Sequence, residues 1–158
     1  MKSQWDKWLN FIKDQSGTPD QIAGGVAIGC FFGLFLPPGT QIFAALAVAT
    51  YLGCNRILAI CTTWITNPFT MPVIYTFYII LGSKLTGTPF PEYIPNNLEE
   101  LWNWMFVDRY PGMIFYQFVS GAFLISIITT YISYYLVKRL VLKLQGDVKV
   151  QQPANALE

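Results

Sequence analysis

Histidine is absent from the 158 residues. That removes histidine–metal sites, histidine general bases and Ser–His–Asp triads at once. Charge is scarce too: Asp, Glu, Lys and Arg make up 12% of the chain, against about 25% in an ordinary soluble domain. The charges nearly cancel, with a formal net of +1, and no basic stripe is interleaved with aromatics, so nucleic acid is not an expected partner. Cysteine is limited to Cys30, Cys54 and Cys61. All three sit in apolar runs at spacings that fit no zinc pattern, and their odd number makes no disulfide framework. They read as small packing residues. No cofactor or metal is expected.

What the chain has instead is apolar bulk, 53% hydrophobic and 16% aromatic. Its charges are sorted. Three stretches carry none: between Asp20 and Arg56, from Ile57 to Ser83, and from Tyr110 to Val137. Their lengths, about 35, 27 and 28 residues, each exceed the ~20 needed to cross a hydrocarbon core. A core helix of a soluble protein would show a polar face within that length. The expected class is an all-α integral membrane protein of the bacterial inner-membrane kind, in one domain. Residues 1–16 set Trp5, Trp8, Leu9, Phe11 and Ile12 against Lys2, Asp6, Lys7, Lys13 and Asp14. As a helix they would lie in the interface plane, although an ordinary surface helix has the same pattern.

The first uncharged stretch is too long for one crossing, since about 35 helical residues extend about 50 Å against a core of about 30 Å. Pro37, Pro38 and Gly39 interrupt it: prolines remove donors and glycine permits a turn. A helical hairpin over 19–53 is expected, its arms Pro19–Leu36 and Thr40–Gly53. Thr18 is placed as N-cap, Pro19 at the first helical position and Asp20 beside the positive helix end. Gly25, Gly29 and Gly33 repeat every four residues on one arm, and Ala45, Ala49 and Gly53 on the other. Such faces allow close packing in lipid, either on each other or across a dimer. The second stretch, 57–83, is broken at Asn67-Pro68 and again at Pro72.

After Gly82 the chain turns polar. Residues 91–108 are expected to form an outer interfacial segment, with Trp102 and Trp104 as belt residues. A final span over 110–137 ends in Tyr131, Tyr134 and Tyr135, then Lys138, Arg139, Lys143 and Lys149. By the positive-inside rule these put the C-terminus in the cytoplasm. The acidic loop, with Glu92, Glu99, Glu100 and Asp108, belongs outside. The N-terminus is then cytoplasmic, which either a returning hairpin plus one broken span or three crossings satisfies. A membrane domain over 17–145 and a disordered tail over 146–158 complete the division.

Polar groups inside the apolar stretches are few. Two Pro-interrupted segments in corresponding positions point to a transporter-type midplane site, although proline kinks that only shape packing read the same way. Candidate substrate contacts are Thr40, Gln41, Asn55, Arg56, Thr63, Trp64, Asn67 and Thr70. Arg56 suits an anion or lipid phosphate, or it snorkels at an interface with Asn55 capping the next helix. Asn67 binds a head group or satisfies backbone freed by Pro68. No carboxylate or nucleophile–base pair lies among them, so neither proton coupling by a buried acid nor catalysis is expected.

The run Pro19-x-x-Ile22-Ala23-x-Gly25-x-Ala27-x-Gly29, then Pro37-Pro38-Gly39-Thr40-Gln41, Asn55-Arg56, and Thr63-Trp64-x-x-Asn67-Pro68-x-Thr70-x-Pro72-x-x-Tyr75 resembles a bacterial membrane family, domain of unknown function 2062. The resemblance spans about residues 5–140. Some members are joined to glycosyltransferase-like domains, which implies a role near envelope lipid or polysaccharide and gives no catalytic residues. Two functions are therefore expected. One is a transporter-like or lipid-translocating protein, in a homo-oligomer. The other is a scaffold or partner subunit of an envelope-assembly enzyme.

Overall fold

The computed structural model describes residues 17–90, Asn97, Glu99, Glu100, Asn103 and 111–150, all helix, turn or loop with no strand among them. The amphipathic segment 1–16, most of 91–108 including Trp102 and Trp104, and the tail from 151 lie outside the described residues. Five helices carry the fold: α1 (Pro19–Phe35), α2 (Thr40–Tyr51), α3 (Arg56–Thr62, prolonged by a 3-10 turn Thr63–Ile65), α4 (Met71–Thr86) and α5 (Pro111–Val150). The helix breaks fall where the prolines put them, at 36–39 and 66–70.

Local chemistry sets each boundary. Thr18 caps α1 in a capping box: its hydroxyl accepts from the Gln21 amide at 3.3 Å, and the Gln21 side chain accepts from the Thr18 amide at 2.9 Å. Asn55 caps α3 by accepting from the Leu58 amide at 3.0 Å. Helix α2 ends at Tyr51 in a Schellman turn: the Gly53 amide donates to Thr50 and the Cys54 amide to Ala49. Gly53 holds a φ of 67°, so its role is that turn. It is exposed and touches nothing a side chain would displace, which corrects its reading as a packing residue.

The glycine face of α1 meets neither the alanine arm nor a second copy. A Cβ on Gly25 or Gly29 would collide with the Asn55 or Ala59 carbonyl oxygen, and one on Gly33 would lie 2.9 Å from Thr63 Cα. Each pair is offset by the same number of residues, so α1 and α3 run parallel in near-backbone contact. Helix α2 returns beside them, with Ala45 and Ala49 packed on Ala59.

Helix α5 is the spine. It has 40 residues, about 60 Å of helix, and runs antiparallel to α1 from Lys138 beside Asp20 to Phe123 beside Phe35. Ile22, Leu58 and Val141 pack together at the near end. Beyond Phe123, α4 takes over as partner, with Gly121 under the Tyr78 carbonyl and Gly82 under that of Gln117. The helix passes Val137, where the sequence ended the span, and reaches Val150 inside the stretch read as a disordered tail. No proline or glycine cluster follows Val137 to stop it. Within α5, Gly112–Gln145 is long and apolar enough to cross a membrane, while α1 to α4 are shorter apolar helices.

The α4–α5 crossing generates a prediction. A methyl group at Gly82 meets backbone, which cannot swing aside. Gly82→Ala therefore destabilises by about 1–3 kcal/mol, read as a lower thermal midpoint of the detergent-solubilised protein. Gly112→Ala, with open space around it, leaves the midpoint unchanged or raises it by the ~0.5–1 kcal/mol helix preference for alanine.

Candidate functional site

The two breaks meet. Helix α1 stops at Phe35, so its last four carbonyls have no partner within the helix. Phe32 is satisfied by the Leu36 amide at 3.0 Å. The Thr66 hydroxyl donates to Gly33 at 2.6 Å, and the Tyr78 hydroxyl donates to Leu34 at 2.7 Å. The second break thus caps the helix that leads into the first. Gln41, in the first turn of α2, closes the joint: its amide nitrogen donates to the Thr63 carbonyl at 3.2 Å and its oxygen stands 3.2 Å from the Thr66 hydroxyl. Thr63 and Tyr78 are fully buried, and Gln41 and Thr66 are each 5% exposed.

The remaining polar residues of the breaks are spent on the chain itself. Asn67 Oδ1 accepts from the amides of Phe69 (3.0 Å) and Thr70 (3.1 Å). The Thr70 hydroxyl accepts from the Asn67 amide at 2.9 Å and lies 3.1 Å from the Ile65 carbonyl. The Thr40 hydroxyl, exposed, donates to Pro37 at 2.9 Å. Pro37, Pro38, Gly39 and Pro68 line the surface of the joint, and Pro72 sits in the first turn of α4. Of the two readings of Asn67, the backbone-satisfying one matches these bonds.

The candidates do not form one site. Gln41, Thr63, Asn67 and Thr70 gather at the joint with Thr40 at its rim, whereas Asn55 and Arg56 stand at the other end of α3, about 15 Å away by helical rise. Thr63 turns inward and Trp64 outward, 68% exposed, so the two share no face. Arg56 is exposed at the near end, level with the Lys138–Asp20 ion pair (2.6 Å). Tyr134 donates a short hydrogen bond to the same carboxylate. The Lys138 ammonium and then the Tyr134 hydroxyl hold the Asp20 carboxyl below the usual carboxylate range.

Open space lies elsewhere and is apolar. A groove of about 480 Å³ between α1 and α5 is walled by Ala27, Phe31, Ile127, Thr130, Tyr131, Tyr134 and Tyr135. Another of about 250 Å³ lies among α1, α4 and α5, beside Leu34, Phe77 and Ile125. Among the described residues no group of three or more His, Cys, Asp or Glu could hold a metal ion.

The family model for domain of unknown function 2062, described as an uncharacterized protein conserved in bacteria, matches residues 2–148. The chain belongs to that family. No curated protein and no solved structure matches it.

In this family member, sequence reasoning passed over Thr66, Tyr78, Gly82 and Gly121. The signal for Thr66 was its place one residue before Asn67-Pro68. For the two glycines it was their isolation in otherwise bulky helices. A test follows from the joint. Thr66→Val keeps the shape but leaves the Gly33 carbonyl buried without its donor, at a cost of about 1–3 kcal/mol. The same thermal midpoint falls for Thr66→Val, while Thr40→Ala, at an exposed rim, stays within about 0.5 kcal/mol of the parent.

Proposed function

We propose that this protein is a multi-pass component of the bacterial inner membrane that binds lipid in the plane of the bilayer, as a non-catalytic partner subunit of envelope assembly. On this reading it does not conduct a water-soluble solute through its broken helices. The observation that carries the proposal is the sealed joint: Thr40, Gln41, Thr63, Asn67 and Thr70 at the breaks are each bonded to their own chain, and the open grooves are lined mostly by apolar surface.

Dimensions support the membrane setting. From Lys138, beside Asp20, to Phe123, at the hairpin tip, α5 rises about 22 Å, and to Gln117 about 32 Å. The hydrocarbon core is about 30 Å thick. The hairpin α1–α2 is then re-entrant, turning back within the core, while α3–α4 crosses as one broken span and α5 returns. Charged residues fit both boundaries: Asp20, Arg56 and Lys138 at the near one, exposed Lys84 at the far one. The termini fall on one side, cytoplasmic by the basic residues after Val137. Beyond the tip, α4 and α5 are the described helices left to span the core. This favours a homo-oligomer or an envelope-assembly enzyme as neighbour, and large apolar side chains such as Phe77 and Tyr116 face outward there.

A cysteine map tests this. In a background with Cys30, Cys54 and Cys61 replaced, a membrane-impermeant maleimide is expected to label Thr88→Cys from the outer face and Gln145→Cys from the inner face. Thr40→Cys and Phe69→Cys, at the tip, react from neither face until the membrane is dissolved. Labelling of both tip positions in intact membranes would overturn the sealed joint and restore the aqueous substrate path.

A further inference from the structure

We infer that the groove between α1 and α5 is a binding site for an anionic phospholipid, one acyl chain lying along Phe31 and Tyr131 and the head group meeting Arg139. The inference deepens the lipid-binding reading above by naming the lipid class and its seat.

The polarity of the groove is graded along its length. Its deep end is Phe31 and Ile127; Ala27 and Thr130 come next, and the Thr130 hydroxyl is already donated to the Ser126 carbonyl at 2.6 Å. Three tyrosines follow towards the near end, with Tyr131 and Tyr135 in ring contact at 4.6 Å and Tyr134 against Tyr135 at 5.3 Å. Tyrosine suits this position, since its ring takes hydrocarbon and its hydroxyl takes the head-group region. From Ile127 to Tyr135 the groove runs about 12 Å along α5, close to the ~15 Å depth of one leaflet.

Charge identifies the head group. Ile127, Tyr131, Tyr135 and Arg139 follow at intervals of four, on one stripe of α5. At about 100° per residue, Arg139 lies one turn past Tyr135 and about 40° further round α5, exposed. Lys138 also stands there, but Asp20 neutralises it, and the same carboxylate fixes Tyr134 as a wall of the groove. Among the described side chains of α5, the exposed cations at this end are Arg139 and, one turn on, Lys143. A guanidinium at the mouth of an apolar trough favours a phosphate head of net negative charge over a zwitterion, whose own ammonium it repels.

The test uses the full chain in detergent micelles, titrated with dioleoyl phosphatidylglycerol or dioleoyl phosphatidylcholine and read by native mass spectrometry. Micelles report binding whatever the topology in the membrane, so failure here and failure of the cysteine map are separate results. The parent is expected to retain phosphatidylglycerol in preference to phosphatidylcholine. Arg139→Glu loses phosphatidylglycerol about tenfold, the weight of one charge-assisted contact, while Arg139→Lys keeps most of it. Ile127→Trp, at a half-exposed position, fills the trough and lowers retention of both lipids without lowering the thermal midpoint. Equal retention of the two lipids by the parent would overturn the inference. So would an equal loss from Arg56→Glu, which lies at the same end but outside the groove, because attraction would then be general rather than seated.

Discussion

A helix that ends among apolar neighbours has to find donors for its last carbonyls, and the arrangement at the end of α1 depends on how that is done. Water is shut out around Gly33 and Leu34, so the donors come from other elements: the Thr66 hydroxyl from the second break and the Tyr78 hydroxyl from α4. These two bonds tie together segments 33 and 44 residues apart. Gln41 adds the return arm to the same joint. An unmade bond in such a place costs more than a made one contributes, so the breaks hold each other closed. They act as one feature, and the prolines that create them are tolerated because the joint absorbs the freed backbone groups.

Close approach by glycine does the complementary work along the helices. Gly25, Gly29 and Gly33 bring α1 against the backbone of α3, and Gly82 and Gly121 do the same between α4 and α5. Helices this near exchange many weak contacts that need no water to be expelled, which is the packing available where the surroundings are as apolar as the side chains. The two crossings differ in direction, parallel for the first and antiparallel for the second. The spine α5 serves both halves.

Much of this was legible in the residues. Proline and glycine marked both breaks, Thr18 and Asn55 marked helix starts, and the four-residue glycine repeat marked a packing face, because each rests on local backbone chemistry. Partners were not legible. Nothing in the spacing of Gly25, Gly29 and Gly33 says that α3 receives them, since the alanine arm offers an equally small face. The site was harder still. Thr40, Gln41, Asn67 and Thr70 stand out as polar residues in apolar sequence, and that signal is the same whether a hydroxyl waits for a ligand or caps a carbonyl. Only the third dimension separates Gln41, which bonds across 22 residues, from Thr40, which bonds three residues away. Arg56 stood out for its charge, yet its place at the near end follows from the direction of α3, which composition does not encode.

The constant offset between α1 and α3 has a consequence for how such a chain can vary. The arm between them, α2 with its two turns, works as a spacer of fixed length. Substitutions on its outer face, around Phe43 and Ala47, change nothing that the other helices read. Adding or deleting one residue within α2 turns the end of that helix by about 100° and shifts it by about 1.5 Å, which moves the start of α3 out of register with the glycines. Length in this arm is therefore under tighter constraint than sequence. Lineages of such proteins are expected to drift freely on the outer face of α2, while Gln41, Ala45, Ala49 and the residue count of the arm are kept.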